Sequence, residues 1–251
     1  MLFFLYLCLK ELYSYIEEFI PISDVGKLEN MSVFEISQDY NYSKLLLISD
    51  FHLGKHFYPN KSISLLSKQI YKLYCFEKAS MILILGDSID SSYSEQLELH
   101  YFLAQNIDNI SSSIFIIGGN HDREIVKNIS SNQSYSNQFQ HIKYIANPII
   151  LLDTNVKKYF FAHDLLYNYK IRGKSIPSFI HYLKKKSIFS NFFETNDSLI
   201  IGHTHEQYAN EERGEYCIGQ FSIDSLKFDY AIIETSPNHT CIQLKHWKYE
   251  K

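Results

Sequence analysis

Five short apolar runs in this chain each end in a cluster of Asp, His, Asn or Gly, and this pattern constrains the fold most strongly. The clusters lie at 50–54, 86–90, 118–122, 162–164 and 202–205. Buried parallel strands read as continuous apolar runs, and ligands of open α/β sheets bind beyond the carboxyl ends of the strands. We therefore expect the five clusters to meet at one edge of a sheet.

The first half of the chain alternates predicted strands with predicted helices. Strands are predicted at 44–49, 81–85 and 114–117, and helices with apolar residues at helical spacing are predicted at 62–78 and 94–106. This alternation is typical of a parallel sheet covered on both faces.

The second half is predicted to be richer in strands. They are expected at 149–152, 159–162, 198–201, 216–218, 230–233 and 241–244. One further helix is predicted at 175–189, and the polar stretch 128–140 is predicted to be a loop.

Composition excludes several classes of protein. The 251 residues are 45% hydrophobic and 16% aromatic, which is enough for a large core. Nine glycines, where average usage would give roughly 18, exclude collagen-like and Gly-rich linker chains. The net charge of −4 predicts no global attraction to nucleic acid or anionic lipid, so we expect no stable nucleic-acid complex. The four cysteines form no C-x-x-C pair, which favours reduced thiols in the cytoplasm.

Residues 1–30 are predicted to carry an N-terminal amphipathic helix, and residues 31–251 to form a single domain. The apolar run Met1–Leu9 is too short to cross a bilayer, which needs about 20 residues. We interpret residues 1–20 as a contact surface for the domain or a second copy of it. The alternative is a weak contact with a membrane surface, although Glu11, Glu17 and Glu18 are acidic where such helices are basic.

The residue types at the five strand ends suit metal ions. An Asp-x-His or His-x-His pair on an extended segment directs both side chains to one side. Imidazole and carboxylate suit Zn, Fe and Mn, and one bridging carboxylate can serve two ions ~3.5–4 Å apart. Each fragment alone would more often be a turn, a cap or a core histidine. All five in this order favour a site for two divalent metal ions.

This set of motifs resembles the calcineurin-like metallophosphoesterase superfamily, with its D-x-H, G-D-x-x-D, G-N-H-[DE], Gly-His and G-H-x-H blocks. The resemblance spans residues 45 to 235, and one departure is Ala162, where the family commonly has Gly. It implies a four-layer α/β/β/α sandwich, in which two central mixed sheets are flanked by helices.

The resemblance also implies how the ligands divide between two divalent ions such as Mn, Fe or Zn. The first ion would have four ligands: Asp50, His52, Asp87 and His205. Asp87 would bridge to a second ion, which three further residues complete: Asn120, His163 and His203. His121 would be catalytic, assisting the leaving group, and Asp122 would orient it.

Other residues flank these blocks. Arg123 directly follows the third block and is a candidate for substrate binding, with a surface salt bridge as the alternative. Asp90 and Asp164 are predicted to support the ligands or cap strand ends. Further candidates for substrate contact are Lys55, His56, Tyr167, Tyr169 and Arg172.

The implied activity is hydrolysis of a phosphodiester or phosphomonoester, of nucleotide type, by a hydroxide that bridges the two metal ions. The segment 50–55 is similar to a signature of small phosphoesterases found beside DNA ligases, of double-strand-break repair nucleases and of UDP-diacylglucosamine pyrophosphohydrolases of lipid A synthesis. The repair nucleases are longer, and the lipid A enzymes usually have Arg in place of His121. A lipid A hydrolase-like enzyme and a catalytically silent scaffold of the same fold are the alternatives, and the complete ligand set disfavours the scaffold.

Overall fold

The structure is a computed structural model that describes residues 32–36, 43–54, 59–164, 180–181, 194 and 196–248. The predicted N-terminal helix over residues 1–30 lies outside these described residues. The division at residue 30 therefore stays a prediction.

The described strands and helices follow the apolar pattern of the sequence. In chain order the strands are β1 (Val33–Glu35), β2 (Lys44–Ile48), β3 (Met81–Leu85), β4 (Ser113–Ile117), β5 (Ile142–Ile145), β6 (Ile149–Asp153), β7 (Lys158–Ala162), β8 (Ser198–Ile201), β9 (Gln207–Asn210), β10 (Glu215–Ile218), β11 (Phe221–Ser222), β12 (Lys227–Ser236) and β13 (His239–His246). The helices with fully described bounds are α1 (Pro59–Glu77), α2 (Tyr93–Ile107), α3 (Arg123–Ser131) and α4 (Gln133–Ser136).

These strands form two mixed sheets. In the seven-stranded sheet, β2, β3, β4 and β5 are parallel, β12 pairs antiparallel with β2, and β11 and β13 pair with β12. The six-stranded sheet has the order β1-β6-β7-β8-β10-β9, with β7 and β8 parallel. The parallel strands bring their carboxyl ends to one edge of each sheet.

The period of two along each strand separates two hydrophobic cores. Leu46 and Ile48 of β2 pack with residues of α1, α2 and α3, whereas Leu45 and Leu47 pack with the six-stranded sheet. All four side chains are fully buried. A strand buried on both faces needs the continuous apolar run that the sequence shows.

The structure confirms the predicted α/β sandwich of two mixed sheets flanked by helices. Of the helix predicted at 175–189, only Ile180 and His181 are described, and both are helical. Among the residues that the structure describes, none of the helices combines the length and the apolar character needed to cross a lipid bilayer.

The prediction of a loop at 128–140 is wrong, because α3 and α4 occupy most of this stretch. Ile125, Val126 and Ile129 form a narrow apolar stripe that packs on the core between polar neighbours. A stripe of three residues is hard to distinguish from a polar loop by periodicity, and packing decides it. Strands β1, β5, β9 and β11 are additional to those predicted.

Candidate metal centre

The predicted ligands lie in five loops at one end of the two sheets. These loops directly follow β2, β3, β4, β7 and β8. Short atomic distances connect them across the two sheets, as when the backbone N–H of His203 donates to Asp50 Oδ2 at 2.9 Å. The structure thus brings all seven predicted ligands together, as expected from the strand-end pattern.

The backbone at this site is strained. Seven non-glycine residues of the described chain have a left-handed φ, and five of them are predicted ligands. Those five, with their φ angles, are Asp50 (60°), His52 (49°), Asp87 (49°), His203 (66°) and His205 (57°). Such conformations cost on the order of 1–3 kcal/mol each and concentrate at functional sites. The turns direct ligand side chains into the cluster at the expense of local stability.

Two glycines let the loops approach each other closely. A Cβ on Gly119 would lie 2.1 Å from Asp87 Oδ1, and a Cβ on Gly202 would lie 2.1 Å from Ser49 Oγ. Any side chain at these positions would displace the loop that carries Asp87 or Asp50. Both glycines are therefore required by the geometry of the ligands.

The first ligand group consists of Asp50, His52 and His205, whose ligand atoms all lie within 4.8 Å of one another. His52 Nε2 is 2.9 Å from His205 Nε2, and His205 Nε2 is 3.3 Å from Asp50 Oδ1. The buried Asp50 Oδ1 makes no hydrogen bond of good geometry, although it faces both rings. An orphaned carboxylate oxygen beside two converging imidazole nitrogens fits a cation.

The second ligand group consists of Asp87, His163 and His203, with Asn120 beside it. His163 Nδ1 lies 2.7 Å from the carbonyl oxygen of Leu85, which fixes the ring with Nε2 directed into the site. That Nε2 is 3.2 Å from Asp87 Oδ2, 3.1 Å from Asn120 Oδ1 and 3.3 Å from His203 Nδ1. Because Nδ1 is held by the Leu85 carbonyl, and because Asp87 Oδ2 and Asn120 Oδ1 are acceptors, a proton or a cation at Nε2 would stabilise this arrangement.

Asp87 lies between the two groups. Its Oδ2 is 3.2 Å from His163 Nε2 and 3.8 Å from His52 Nε2, and its Oδ1 accepts a hydrogen bond from the His121 backbone N–H. Asp87 is 1% exposed. This position is the one that a bridging carboxylate requires.

The electrostatics of the cluster favour positive charge. Burial alone would raise the pKa of Asp50, but the positive charge on His163 and the contacts with His205 and His52 outweigh burial and hold that pKa well below its usual range. Burial alone would lower the pKa of His163, but Asp87 and Asp50 raise it to about 10. A pair of buried carboxylates that stabilises a buried imidazolium this strongly also suits a divalent cation.

His121 lies at the exposed rim of the cluster and contacts Asp90, which was predicted to support the ligands or cap a strand end. Its Nδ1 is 3.0 Å from Asp90 Oδ1, and its side chain is 39% exposed. Asp90 Oδ2 is also 3.3 Å from His52 Nδ1. Asp90 therefore supports both a ligand and the predicted catalytic histidine, and the G-D-x-x-D spacing was the signal that could have assigned it.

The structure places the Asp122 carboxylate away from the His121 ring, which corrects the predicted orienting contact. Asp122 Oδ2 accepts hydrogen bonds from the backbone N–H groups of Ser88 and Ile89, and Oδ1 accepts one from Gly119. Adjacent residues in a turn direct their side chains differently, so neighbouring positions in sequence do not imply contact. Asp122 joins the loop after β3 to the loop after β4.

The guanidinium of Arg123 pairs with Asp164. The two side chains are only 14% and 6% exposed, respectively. A salt bridge was the predicted alternative to substrate binding by Arg123, and this salt bridge is present. It joins the start of α3 to the residue that follows His163. The other candidates for substrate contact, Lys55, His56, Tyr167, Tyr169 and Arg172, lie outside the described residues.

Comparison with known proteins identifies the family. The model of the calcineurin-like phosphoesterase family matches residues 43–233, and the chain belongs to this family. No curated protein matches the chain in sequence.

Several solved structures are similar to this chain. A dimetal phosphatase from Danio rerio is 11% identical with a TM-score of 0.50, over 82% of this chain and 97% of that one. Vacuolar Protein Sorting 29 from Cryptosporidium parvum is 14% identical with a TM-score of 0.43, over 83% and 100% of the two chains. A putative diadenosine tetraphosphatase is 10% identical with a TM-score of 0.43, over 88% and 100%. At 11% identity, the likeness to the dimetal phosphatase concerns the fold alone.

Proposed function

We propose that this protein is a phosphoesterase that depends on two divalent metal ions. The observation that carries the proposal is the pair of neighbouring ligand groups, Asp50–His52–His205 and Asp87–His163–His203, which a third group of His52, Asp87 and His121 connects. Two groups of imidazole and carboxylate ligands at this proximity are typical of hydrolases with two metal ions.

The roles of the residues follow from their positions. Bound ions would supply Lewis-acid activation of water and of the phosphoryl group. His121, at the exposed rim, is placed to donate a proton from Nε2 to the leaving oxygen, because Asp90 holds its Nδ1. Asp90 fixes the orientation and the tautomer of that ring. Since no residue is required as a nucleophile, we propose direct hydrolysis without a covalent phosphoenzyme.

The direct test is hydrolysis of bis-p-nitrophenyl phosphate and p-nitrophenyl phosphate by protein reconstituted with Mn²⁺, Fe²⁺ or Zn²⁺. We expect metal-dependent release of p-nitrophenol from at least one substrate. Folded protein that binds these ions and hydrolyses neither substrate would contradict the proposal. The relative rates on the two substrates would distinguish preference for a diester from preference for a monoester.

We further propose a nucleotide-type substrate, supported by the resemblance of the segment 50–55 to small phosphoesterases. A panel of nucleotides, cyclic nucleotides, oligonucleotides and UDP-sugar lipids, assayed with the same metal-loaded protein, tests this choice. Preferential turnover of the UDP-sugar lipid would support the lipid A alternative instead.

The location and partners also remain proposals. We propose a cytoplasmic enzyme, because Cys75, Cys217 and Cys241 are free thiols. We expect no stable nucleic-acid complex, and a weak contact of residues 1–20 with a membrane or a second copy. Vesicle flotation and sedimentation of the full chain, compared with a chain that lacks residues 1–20, separate these two contacts.

A further inference from the structure

His100 is a fully buried histidine that the proposed chemistry does not use. It lies on the inner face of α2, where its neighbours Leu99, Leu103 and Ala104 are buried apolar residues. Neither ring nitrogen has a hydrogen-bond partner of good geometry among the described residues. A buried polar group without a partner costs about 1–3 kcal/mol, so an apolar residue would serve the core better.

The polar atom that His100 faces is the Asp122 carboxylate. His100 Nε2 lies 3.5 Å from Asp122 Oδ2, and both side chains are fully buried. Three backbone N–H groups, those of Ser88, Ile89 and Gly119, already donate to this carboxylate. Oδ2 already accepts two of these bonds and Oδ1 accepts one, so the His100 contact is a third and longer contact to Oδ2, at which an N–H is electrostatically favourable.

Helix α2 supports the same turn at a second point. Gln96 lies one helical turn before His100, and its Nε2 donates to the carbonyl oxygen of His121 at 2.9 Å. Residues four apart on a helix share one face, so Gln96 and His100 both direct polar groups at the His121–Asp122 turn. Tyr144 holds the other side of His100, because its ring lies edge-on to the imidazole and its hydroxyl donates to the His100 carbonyl at 3.1 Å.

We propose that His100 is a positioning residue that acts through Asp122, with Nε2–H as the donor to the carboxylate. Asp122 joins the loop that carries Asp87 to the loop that carries Asn120 and His121. We therefore expect the contact between His100 and Asp122 to fix the distance between these two loops. The pair lies behind the site and touches neither substrate nor ion. This inference rests on the proposed metal-dependent function.

The test compares His100→Leu, which removes the donor at similar volume, with His100→Gln, whose amide nitrogen can take the place of Nε2. Tyr144→Phe is the matched control, because it perturbs the same pocket without touching Asp122. Calorimetric titration with Mn²⁺ gives the affinity of each ion, and steady-state hydrolysis of bis-p-nitrophenyl phosphate gives kcat and KM.

We expect His100→Leu to lower the affinity for at least one Mn²⁺ ion by about 10-fold and to lower kcat by about 10-fold, with little change in KM. We expect His100→Gln to restore both to within about 3-fold, and Tyr144→Phe to lower only the thermal midpoint. Equal defects in the Leu and Gln variants, or no defect in either, would show that His100 only fills space.

A spectroscopic measurement covers the case in which His100→Leu does not fold. The ¹H–¹⁵N spectrum of the wild-type imidazole should show a proton on Nε2, and Asp122→Asn should shift that resonance. A proton on Nδ1 alone would overturn the proposal. If the wild-type protein binds no Mn²⁺ and hydrolyses no ester, the proposed function itself is wrong. If the wild type is active and the His100 variants match it, only the proposed role of His100 is wrong.

Discussion

Buried carboxylates beside β2 have two different sets of partners, which define two clusters. The lysine cluster consists of Glu77 of α1 with Lys44, the first residue of β2, Lys245 of β13 and Tyr230 of β12. The ligand cluster, beyond the carboxyl end, consists of the seven predicted ligands. Both clusters bury carboxylates on the same sheet, so burial of acidic groups does not by itself define a site.

The partners make the difference. Glu77 accepts hydrogen bonds from Tyr230 Oη at 2.7 Å and Lys245 Nζ at 3.0 Å, and Lys44 Nζ lies 3.0 Å from it. Among the described residues, Asp50 and Asp87 have ion-pair contacts with histidines and none with Lys or Arg. Permanent cations satisfy the lysine cluster within the chain, whereas the imidazoles of the ligand cluster can give up their protons and accept metal ions in their place.

The largest effect is expected from Asp87→Ala, which disrupts the ligand cluster at its centre. Its carboxylate lies beside both ligand groups, so we expect loss of the second ion and of at least 1,000-fold in kcat, roughly the scale of removing a central catalytic group. Metal analysis and ester hydrolysis measure the two effects. Retention of both ions with near-normal turnover would show that Asp87 does not bridge them.

His121→Ala is expected to separate catalysis from metal binding. We predict that the variant keeps its ions and loses about 100- to 10,000-fold in kcat, the usual range for a general acid. A leaving group that needs no proton, such as p-nitrophenolate, should be affected less than an alkoxide. An equal loss on both leaving groups would argue against protonation by His121.

Glu77→Gln tests the lysine cluster and should affect stability alone. The substitution removes the carboxylate that Lys245 and Lys44 share, although Lys44 keeps its ion pair with Glu234, and we expect it to lower the free energy of unfolding by about 1–3 kcal/mol. Urea unfolding measures it, and Mn²⁺ binding and kcat should remain at the wild-type values. A change in metal affinity would mean that the two clusters are coupled across the sheet.

The lysine cluster also predicts a pH dependence of stability. Burial alone would raise the pKa of Glu77, but hydrogen bonds from Tyr230, Lys245 and Lys44 outweigh it, so its pKa is lowered from 4.5. The ionised form therefore stabilises the fold fully above that value, and the contribution is lost as pH falls through the folded-state pKa. In urea unfolding from about pH 6 to about pH 3, the difference between wild type and Glu77→Gln should shrink with acid. A constant difference would contradict this linkage.

Arg123→Met is expected to leave catalysis almost unchanged. Because Arg123 pairs with Asp164 and both side chains are largely buried, we expect a loss of about 3 kcal/mol of stability, the scale of removing one partner of a buried ion pair, and a change in KM below about 3-fold. Steady-state kinetics and thermal unfolding measure both. A rise in KM above about 10-fold, not reproduced by Asp164→Asn, would restore the predicted substrate contact.

Much of this contrast could be predicted from the sequence, and the missing parts have physical reasons. Apolar runs such as Met81–Leu85 predicted the strands, because a strand buried on both faces leaves a continuous signal. The ligand cluster followed from polar residues at strand ends. Helix α3 was not predicted because its apolar stripe is narrow. The lysine cluster was not predicted because Glu77 and Tyr230 come together only when α1 packs on the sheet.

The carboxylate behind His121 shows the same limit. Sequence reasoning chose the adjacent Asp122, whereas the fold brings Asp90 to the ring from the preceding strand end. Side-chain direction within a turn depends on backbone angles that composition does not reveal, so proximity in the chain was a poor guide.

The most direct test of the ligand cluster is the number of metal ions bound per folded chain, measured by elemental analysis after reconstitution with Mn²⁺ and removal of free ions. We predict two ions per chain in the wild type and in Glu77→Gln. One ion or none in the wild type would contradict the proposal of a site for two metal ions at this end of the sheets.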